Sequence, residues 1–333
     1  MAAPLSGAPG ASRRSIGPAI AAPRRLTRLA ITLPRMATAS APTARRSCLS
    51  VPGSSAAMLA KAPLRGADEV VVDLEDAVAT TAKDDARGTV VEALREPQWD
   101  AVRVSVRVNA PRTPWCHADI VAMACAPRGP GSIIVPKVES RGDLDFVDRL
   151  LDGAEAAAPT GRAPLRVQAL IETAAGVARL DEIAGASPRL DALILGYADL
   201  SASLGRAAGA RAELDSWRSI QDAILVAART HDVAAIDGPY LGIKVDEGFT
   251  AAATRARDMG FDGKWAIHPA QIAALNELFT PSEEEVEHAR AVIDALAAAE
   301  REGGAGAVAL DGQMLDEAVR AAALRVLARA GAG

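Results

Sequence analysis

The chain has 333 residues, of which 50% are hydrophobic, 24% are charged and 3% are aromatic, and its formal net charge is −5. This composition excludes a disordered chain, a collagen-like fibre and a disulfide scaffold. No apolar run approaches the roughly 18 residues of a membrane-spanning helix, so we expect a soluble protein with no membrane partner.

The beginning of the chain differs from the rest in charge. Residues 1–46 hold eight arginines and no acidic residue, which leaves 29 basic against 42 acidic side chains for the remainder. This excess of acidic side chains after residue 46 disfavours nucleic acid as a binding partner. We predict that residues 1–44 are an extension outside the fold. It is either a targeting-like segment, which would direct the protein to the mitochondrial matrix, or the product of an upstream start codon, with Met36 as the true start.

The cysteines favour a reducing compartment. Cys48, Cys116 and Cys125 form no CxxC pair, and their number is odd. We therefore expect free, buried thiols and a cytoplasmic protein.

From residue 45 to about residue 280, short apolar runs alternate with longer segments of helical periodicity. The predicted strands are Ser47–Val51, Glu69–Val72, Val102–Val108, Ser132–Val135, Leu165–Ile171, Ala192–Leu195, Val233–Ile236 and Lys264–Ile267. The clearest predicted helices are Ala82–Leu94, Gly142–Leu151, Ala175–Ala184, Trp217–Thr230 and Asp246–Met259. Eight such alternations in about 230 residues favour an α/β fold of the (β/α)8 TIM barrel type over an open sheet.

The last part of the chain, residues 281–333, reads as a C-terminal helical arm. Pro281 and the acidic residues after it predict a helix to about Arg301, and glycines 303, 304 and 306 then interrupt the chain. A final helix is predicted from about Met314 to Ala330. Such an arm with a glycine hinge could act as a lid or as a brace on the barrel wall.

Polar residues follow nearly every predicted strand. In this fold the carboxyl ends of the strands meet on one face, where active sites are built. The candidates are Asp73, Glu75, Asp76, Arg107, Asn109, Lys137, Glu139, Glu172, Asp199, Asp237 and His268.

Two of these carboxylates point to a metal. Glu172 and Asp199 follow adjacent strands, where they would repel each other unless a cation lay between them. With no His or Cys nearby, Mg²⁺ is favoured over zinc, and its remaining positions could chelate a keto acid. Arg107 offers a planar fork for the carboxylate of such a substrate.

A weaker signal follows the first strand. Gly53 begins a turn into a segment, Ser54–Ala62, whose free N–H groups could hold a phosphate, with Lys61 and Arg65 adding charge. The chain contains no GxGxxG or GxxxxGK[ST] motif, which disfavours a dinucleotide site or a P-loop.

Ordered motifs along the chain resemble one known family. They are RSCLSVPGSSAAMLAKAP, VVDLEDAVA, VRVNAP, IIVPKVES, ALIETAAGV, LILGYADLSASLG, AIHPAQI and GAVALDGQMLDEAV. From about Arg46 to its end the chain resembles the citrate lyase β-subunit-like acyl-CoA lyases of the HpcH/HpaI aldolase superfamily.

The resemblance implies roles for residues around the metal. Glu172 and Asp199 would be the Mg²⁺ ligands, and Arg107 would bind the substrate carboxylate. Glu75 and Asp76 would accept hydrogen bonds from water on the metal. Ala198 stands where many relatives carry a carboxylate, which bears on the choice of substrate.

The resemblance also implies how the acyl-CoA substrate is held. Lys61 would contact CoA, and Ile236 and Asp237 would line the same cleft. Asp316 occupies the place of the family's acid/base aspartate, on an arm that covers a neighbouring subunit's site in a homotrimer or hexamer.

The activity implied is Mg²⁺-dependent cleavage or formation of a C–C bond in a 3-hydroxyacyl-CoA such as citramalyl-CoA or malyl-CoA. The products of cleavage would be acetyl-CoA and pyruvate or glyoxylate. Two alternatives stay open: a malyl-CoA thioesterase or malate synthase-like activity, and a subunit of a citrate lyase complex acting on a carrier-bound substrate.

Overall fold

The computed structural model describes residues 44–158, 161–206, 214–301, 308–310 and 312–331. Eight strands form a closed parallel barrel, each paired with the next along the chain and the eighth paired with the first. They are β1 (Ser47–Pro52), β2 (Glu69–Asp73), β3 (Arg103–Arg107), β4 (Ser132–Val135), β5 (Arg166–Ile171), β6 (Leu190–Leu195), β7 (Ala234–Asp237) and β8 (Gly263–Ala266). The predicted (β/α)8 barrel is confirmed.

Helices connect the strands. They are α1 (Ala56–Leu59), α2 (Lys83–Ala93), α3 (Cys116–Cys125), α4 (Arg141–Ala157), α5 (Ala174–Ala178), α6 (Leu180–Ala184), α7 (Tyr197–Ser203), α8 (Arg218–Thr230), α9 (Glu247–Met259) and α10 (Ala270–Phe279). Short 3-10 helices span Ala62–Arg65, Thr80–Ala82, Pro97–Ala101 and Leu214–Trp217. Within the described chain, no helix is long and apolar enough to cross a bilayer.

The ends of these helices follow from local chemistry. Asp246 caps α9 by accepting a hydrogen bond from the Phe249 N–H at 2.8 Å, and Gly260 ends the same helix with a φ of 108°. Ser140 and Asp143 form a capping box at the start of α4. The predicted helix Ala175–Ala184 is divided into α5 and α6 at Arg179, whose φ of −124° leaves the helical range.

The two-residue period of the strands sorts their side chains into layers inside the barrel. An apolar layer fills its middle; it comprises Cys48, Val71, Ile134, Leu170, Ala192, Ile194, Ile236 and Trp265. Two residues beyond Val71 and Leu170 lie Asp73 and Glu172, which therefore also face inward, at the carboxyl end, and Arg107 stands opposite Asp73 in the β2–β3 register. The barrel thus gathers these polar groups above an apolar floor.

A second polar layer closes the amino end of the barrel. Gln168 Nε2 lies 2.7 Å from both Glu69 Oε1 and Ser105 Oγ, and 2.9 Å from Ser132 Oγ. Arg45 Nε pairs with Glu69 Oε2 at 3.1 Å, so the buried carboxylate is neutralised. This layer lies at the opposite end of the barrel from the rim.

The arm contains α11 (Glu283–Arg301), β9 (Val308–Leu310), β10 (Gln313–Leu315) and α12 (Glu317–Gly331). It has its own core, formed by Ala289, Val292, Leu296, Leu315 and Ala323. The antiparallel β9–β10 pair was not foreseen, and the predicted start of the last helix at Met314 is wrong because that residue lies in β10. Residues 1–43 of the predicted extension 1–44 and the glycines of the hinge lie outside the described residues. The domain limits 1–44, 45–280 and 281–333 stay predictions.

Candidate active site

Arg107 and Asp73 form a buried ion pair at the carboxyl end of the barrel. They stand opposite each other in the β2–β3 register, and Arg107 donates from Nε to Asp73 Oδ1 at 2.8 Å and from Nη2 to Oδ2 at 2.6 Å. Nη1 of Arg107 lies 3.1 Å from Glu75 Oε2. Although burial opposes the charge, these carboxylates raise the pKa of Arg107, which stays a cation. The Arg107 guanidinium, which was expected to be free for substrate, thus pairs largely with protein carboxylates. Its outward N–H groups on Nη1 and Nη2 remain available for a ligand.

Lys137 lies at the centre of the acidic residues. Its Nζ is 2.6 Å from Glu75 Oε1, 2.8 Å from Asp199 Oδ2 and 3.8 Å from Glu172 Oε1. Asp76, more exposed, approaches the same ammonium to 4.0 Å. Lys137 adopts a φ of 53°, a strained value for a residue with a side chain, and strain of this kind is found at functional sites.

Glu172 is nearly inaccessible, at 3% exposure, and its Oε1 accepts a hydrogen bond from the Lys137 backbone N–H at 3.0 Å. Burial raises the pKa of Glu172 to about 8, and the neighbouring Glu75 carboxylate adds to the rise. Gly196, after β6, makes room for the carboxylate, because a Cβ there would lie 2.7 Å from Glu172 Oε2.

These residues fit a hard divalent cation. Glu172 and Asp199 both face the Lys137 ammonium, so a positive charge is already drawn to the space between them. Oδ2 of Asp199 is shielded from solvent, and its described contact is with the Lys137 ammonium at 2.8 Å. Among the described residues, no group of three or more His, Cys, Asp or Glu side chains is arranged to hold a metal ion, so an ion held by Glu172 and Asp199 would need water or substrate for its other ligands.

Two further buried contacts hold the rim loops in place. Lys83 donates from Nζ to the carbonyl oxygens of Leu74 at 3.0 Å and Glu75 at 2.6 Å, which fixes the loop after β2. Asp119 of α3 accepts from both the backbone N–H and Nδ2 of Asn109, at 3.0 and 2.6 Å, and so fixes the loop after β3. Neither Lys83 nor Asp119 is recognisable from the sequence as a site residue, because each lies inside a helix.

Other predicted site residues lie outside the acidic cluster. Lys61 is exposed beyond α1, and His268 is exposed after β8. Ile236 is fully buried in the apolar layer, and the Asp237 carboxylate is held within the protein by Tyr197 and Lys264. The predicted contact of Lys61 with CoA and the predicted place of Ile236 and Asp237 in the same cleft stay predictions.

Asp316 does not join the cluster through any described contact of its side chain. Its Oδ1 accepts from the backbone N–H groups of Ala318 at 2.9 Å and Val319 at 3.0 Å, and so it caps α12. At the far end of α12, Arg329 approaches the carbonyl oxygens of Gly260 and Phe261, which precede β8 at the amino end of the barrel. The acid/base role therefore stays a prediction that concerns the arm.

Comparison with known proteins identifies the family. The chain is 40% identical over 282 residues to the L-malyl-CoA/β-methylmalyl-CoA lyase of Rhodobacter capsulatus, covering 80% of this chain and 88% of that protein. It is 37% identical to the citrate lyase subunit β of Escherichia coli, covering 86% and 93% of the two chains. The crystal structure of CitE from Mycobacterium tuberculosis in complex with magnesium, acetoacetate and coenzyme A matches with a TM-score of 0.70 and 33% identity, covering 86% and 98%.

The family model for HpcH/HpaI aldolase/citrate lyase matches residues 46–269, which include the whole barrel and its acidic rim. The resemblance read from the motifs is thus confirmed, and the protein is an enzyme of the lyase class. The chain belongs to the HpcH/HpaI aldolase/citrate lyase family.

Proposed function

We propose that this enzyme is a Mg²⁺-dependent acyl-CoA lyase that cleaves or forms a 3-hydroxyacyl-CoA such as malyl-CoA or citramalyl-CoA. The observation that carries the proposal is the placement of Glu172 and Asp199 about one ammonium, with the Arg107 guanidinium joined to them through Glu75. The lyase from Rhodobacter and the solved structure with magnesium and coenzyme A support the class of substrate. The expected compartment is the cytoplasm, since the three cysteines are free thiols.

Glu172 and Asp199 would hold Mg²⁺, with Glu75 and Asp76 accepting from its water ligands. When bound, the ion supplies Lewis-acid polarisation of the oxygen on the carbon that becomes the carbonyl of the keto acid. The outward N–H groups of Arg107 would bind the keto acid carboxylate, and the pairing with Asp73 keeps the guanidinium oriented. Lys61, exposed after β1, would meet the CoA phosphates.

In cleavage, a base takes up the proton of the substrate hydroxyl, the O–H electron pair forms the C=O bond of the keto acid, and the bond between the hydroxyl-bearing carbon and the α-carbon of the thioester breaks. The electron pair of that bond gives the enolate of acetyl-CoA, and Asp316 would donate the proton that this carbon takes up. In condensation the same carboxylate removes that proton. Because Asp316 lies on the arm, this role fits an oligomer in which a neighbouring subunit supplies it.

The test is to incubate the purified protein with Mg²⁺ and either malyl-CoA or citramalyl-CoA, and then to identify the products. Formation of acetyl-CoA together with glyoxylate or pyruvate supports the proposal if this activity is lost when a chelator is added. Free CoA and malate without acetyl-CoA would instead indicate thioester hydrolysis.

A second candidate follows from the 37% identity to the citrate lyase β subunit, which would act on a carrier-bound substrate as part of a complex. Turnover of a free CoA ester by the isolated protein contradicts it. Turnover only of the thioester on an acyl-carrier protein would favour it.

A further inference from the structure

Tyr197 is the first residue of α7, and its side chain joins that helix to three other elements. Its hydroxyl donates to Asp237 Oδ1 at the end of β7 at 2.5 Å and accepts from Gln221 Nε2 of α8 at 2.9 Å. The other oxygen of Asp237 accepts from the Lys264 ammonium of β8. Asp237 and Lys264 are each 1% exposed and Gln221 is 3% exposed, so the partners of the hydroxyl are fixed in the barrel wall.

The ring of Tyr197 is enclosed as well. It packs edge to face against Trp217, with ring centroids 4.9 Å apart and an angle of 78° between the planes. On another side it lies over Gly238, where a Cβ would be only 2.7 Å from Tyr197 Cδ2. Ring and hydroxyl together leave the first turn of α7 little freedom to shift.

Asp199 belongs to that same first turn. The described contact of its carboxylate is the ion pair of Oδ2 with the Lys137 ammonium, 2.8 Å away, and that ammonium also pairs with Glu75. The position of its carboxylate therefore depends on the backbone of α7. That backbone is fixed by Tyr197 two residues earlier and by the Gly196 N–H, which donates to Ile171 O at 3.0 Å.

We infer that Tyr197 is a positioning residue for the magnesium site: through Asp237 and Gln221 it fixes the first turn of α7 and so holds the Asp199 carboxylate facing Glu172. The inference rests on the proposed function, because it needs a cation to bind between those two carboxylates. Groups outside the ligand shell that orient ligands in this way set metal affinity strongly.

The test is Tyr197→Phe, which removes only the hydroxyl and keeps the ring against Trp217. We expect the dissociation constant for Mg²⁺, measured by calorimetry on the substrate-free protein, to rise about tenfold. The Mg²⁺ concentration that half-saturates lyase activity should rise in parallel. At saturating Mg²⁺ the KM for the CoA ester should stay within about twofold of wild type, because the site for CoA is not altered.

Ser132→Ala is the matched control. It removes another buried hydroxyl, which lies 2.9 Å from Gln168 Nε2 at the amino end of the barrel, and it should lower the melting temperature without changing Mg²⁺ affinity. If Tyr197→Phe does not fold, Gln221→Met removes the second partner of the hydroxyl and should also weaken Mg²⁺ binding.

The outcomes separate the inference from the proposed function. Wild-type Mg²⁺ affinity in Tyr197→Phe, or in Gln221→Met where that variant is needed, overturns the inference and leaves the proposed function standing. An equal loss in Ser132→Ala also overturns it, since the effect would then be general destabilisation. If the wild-type protein takes up no Mg²⁺, the proposed function fails and the inference fails with it.

Discussion

At the scale of single residues, the rim is arranged around an excess of negative charge. The described rim brings Asp73, Glu75, Asp76, Glu172 and Asp199 around the two cations Arg107 and Lys137. Carboxylates buried this closely are costly unless cations balance them, and one sign of the cost is that burial raises the pKa of both Glu75 and Glu172. A divalent cation would relieve the remaining repulsion.

This environment predicts how Mg²⁺ binding depends on pH. Because the pKa of Glu172 is raised to about 8 without metal, a proton and the ion compete for the same carboxylate below that pH. The apparent dissociation constant should therefore rise roughly tenfold for each pH unit below about 8 and level off above it. Calorimetry in buffers of different ionisation enthalpy should show release of about one proton per ion near pH 7.

Glu172→Gln is the control for that experiment. The amide cannot ionise, so the variant should bind Mg²⁺ weakly and with little pH dependence. A wild-type affinity that does not change between about pH 6 and 8 would contradict the assignment of Glu172 as a ligand.

Individual residues also show which parts of the site can be predicted from the sequence. Arg107, Glu172 and Asp199 were found because strand ends of a barrel converge, which requires only the strand pattern. The strand pattern identifies Lys137 only as a polar residue after a strand. Its place among four carboxylates depends on a positive φ that a lysine does not signal. The pairing of Arg107 with Asp73 depends on the register of two strands, which the pattern alone does not give.

At the scale of elements, the strands were predictable and some connections were not. Parallel strands buried on both faces read as continuous apolar runs, as in Val70–Val72 of β2, where every residue is buried. The break at Arg179 and the β9–β10 pair depend on contacts and turns rather than on periodicity. Gly312, with a φ of 79°, turns the chain before β10, and Leu315 packs into the core of the arm at 1% exposure.

The junction between β6 and α7 offers a test at this scale. In Gly196→Ala, the added methyl would lie 2.6 Å from Glu172 Cβ and 2.7 Å from Oε2, so the carboxylate must move. Since a misplacement of about 1 Å can cost about a hundredfold in rate, we expect lyase activity to fall by about that factor, together with Mg²⁺ affinity. Activity assays and calorimetry measure both.

Gly88→Ala is the corresponding control. Gly88 lies exposed in α2, and a Cβ there would meet no atom within 4 Å. This change should raise the free energy of unfolding by about 0.5–1 kcal/mol and leave activity unaltered. Wild-type activity in Gly196→Ala would show that Glu172 does not need the position that the structure gives it.

At the scale of the whole molecule, the arm that carries Asp316 completes either the active site of its own barrel or that of a neighbouring subunit. The arm has a core separate from the barrel's core, and Arg329 near its end reaches the amino end of the barrel rather than the rim. Asp316 lies at the opposite end of α12, about 20 Å along a helix of 15 residues. The sequence of one chain cannot show which barrel's rim the Asp316 carboxylate faces, because that depends on how a second copy of the chain packs against the first.

Mixing two inactive variants decides whether the arm serves a neighbour. Glu172→Gln disables the barrel site, whereas Asp316→Asn removes the acid but keeps a good cap for α12, since asparagine caps helices as well as aspartate does. If each site combines the barrel of one subunit with the arm of another, co-expression in equal amounts should restore about a quarter of wild-type specific activity, because half of the barrels and half of the arms are intact. If each arm serves its own barrel, no site in the mixture has both parts and activity stays at the level of the single variants. Asp316→Asn with full activity on its own would instead remove this residue from the reaction.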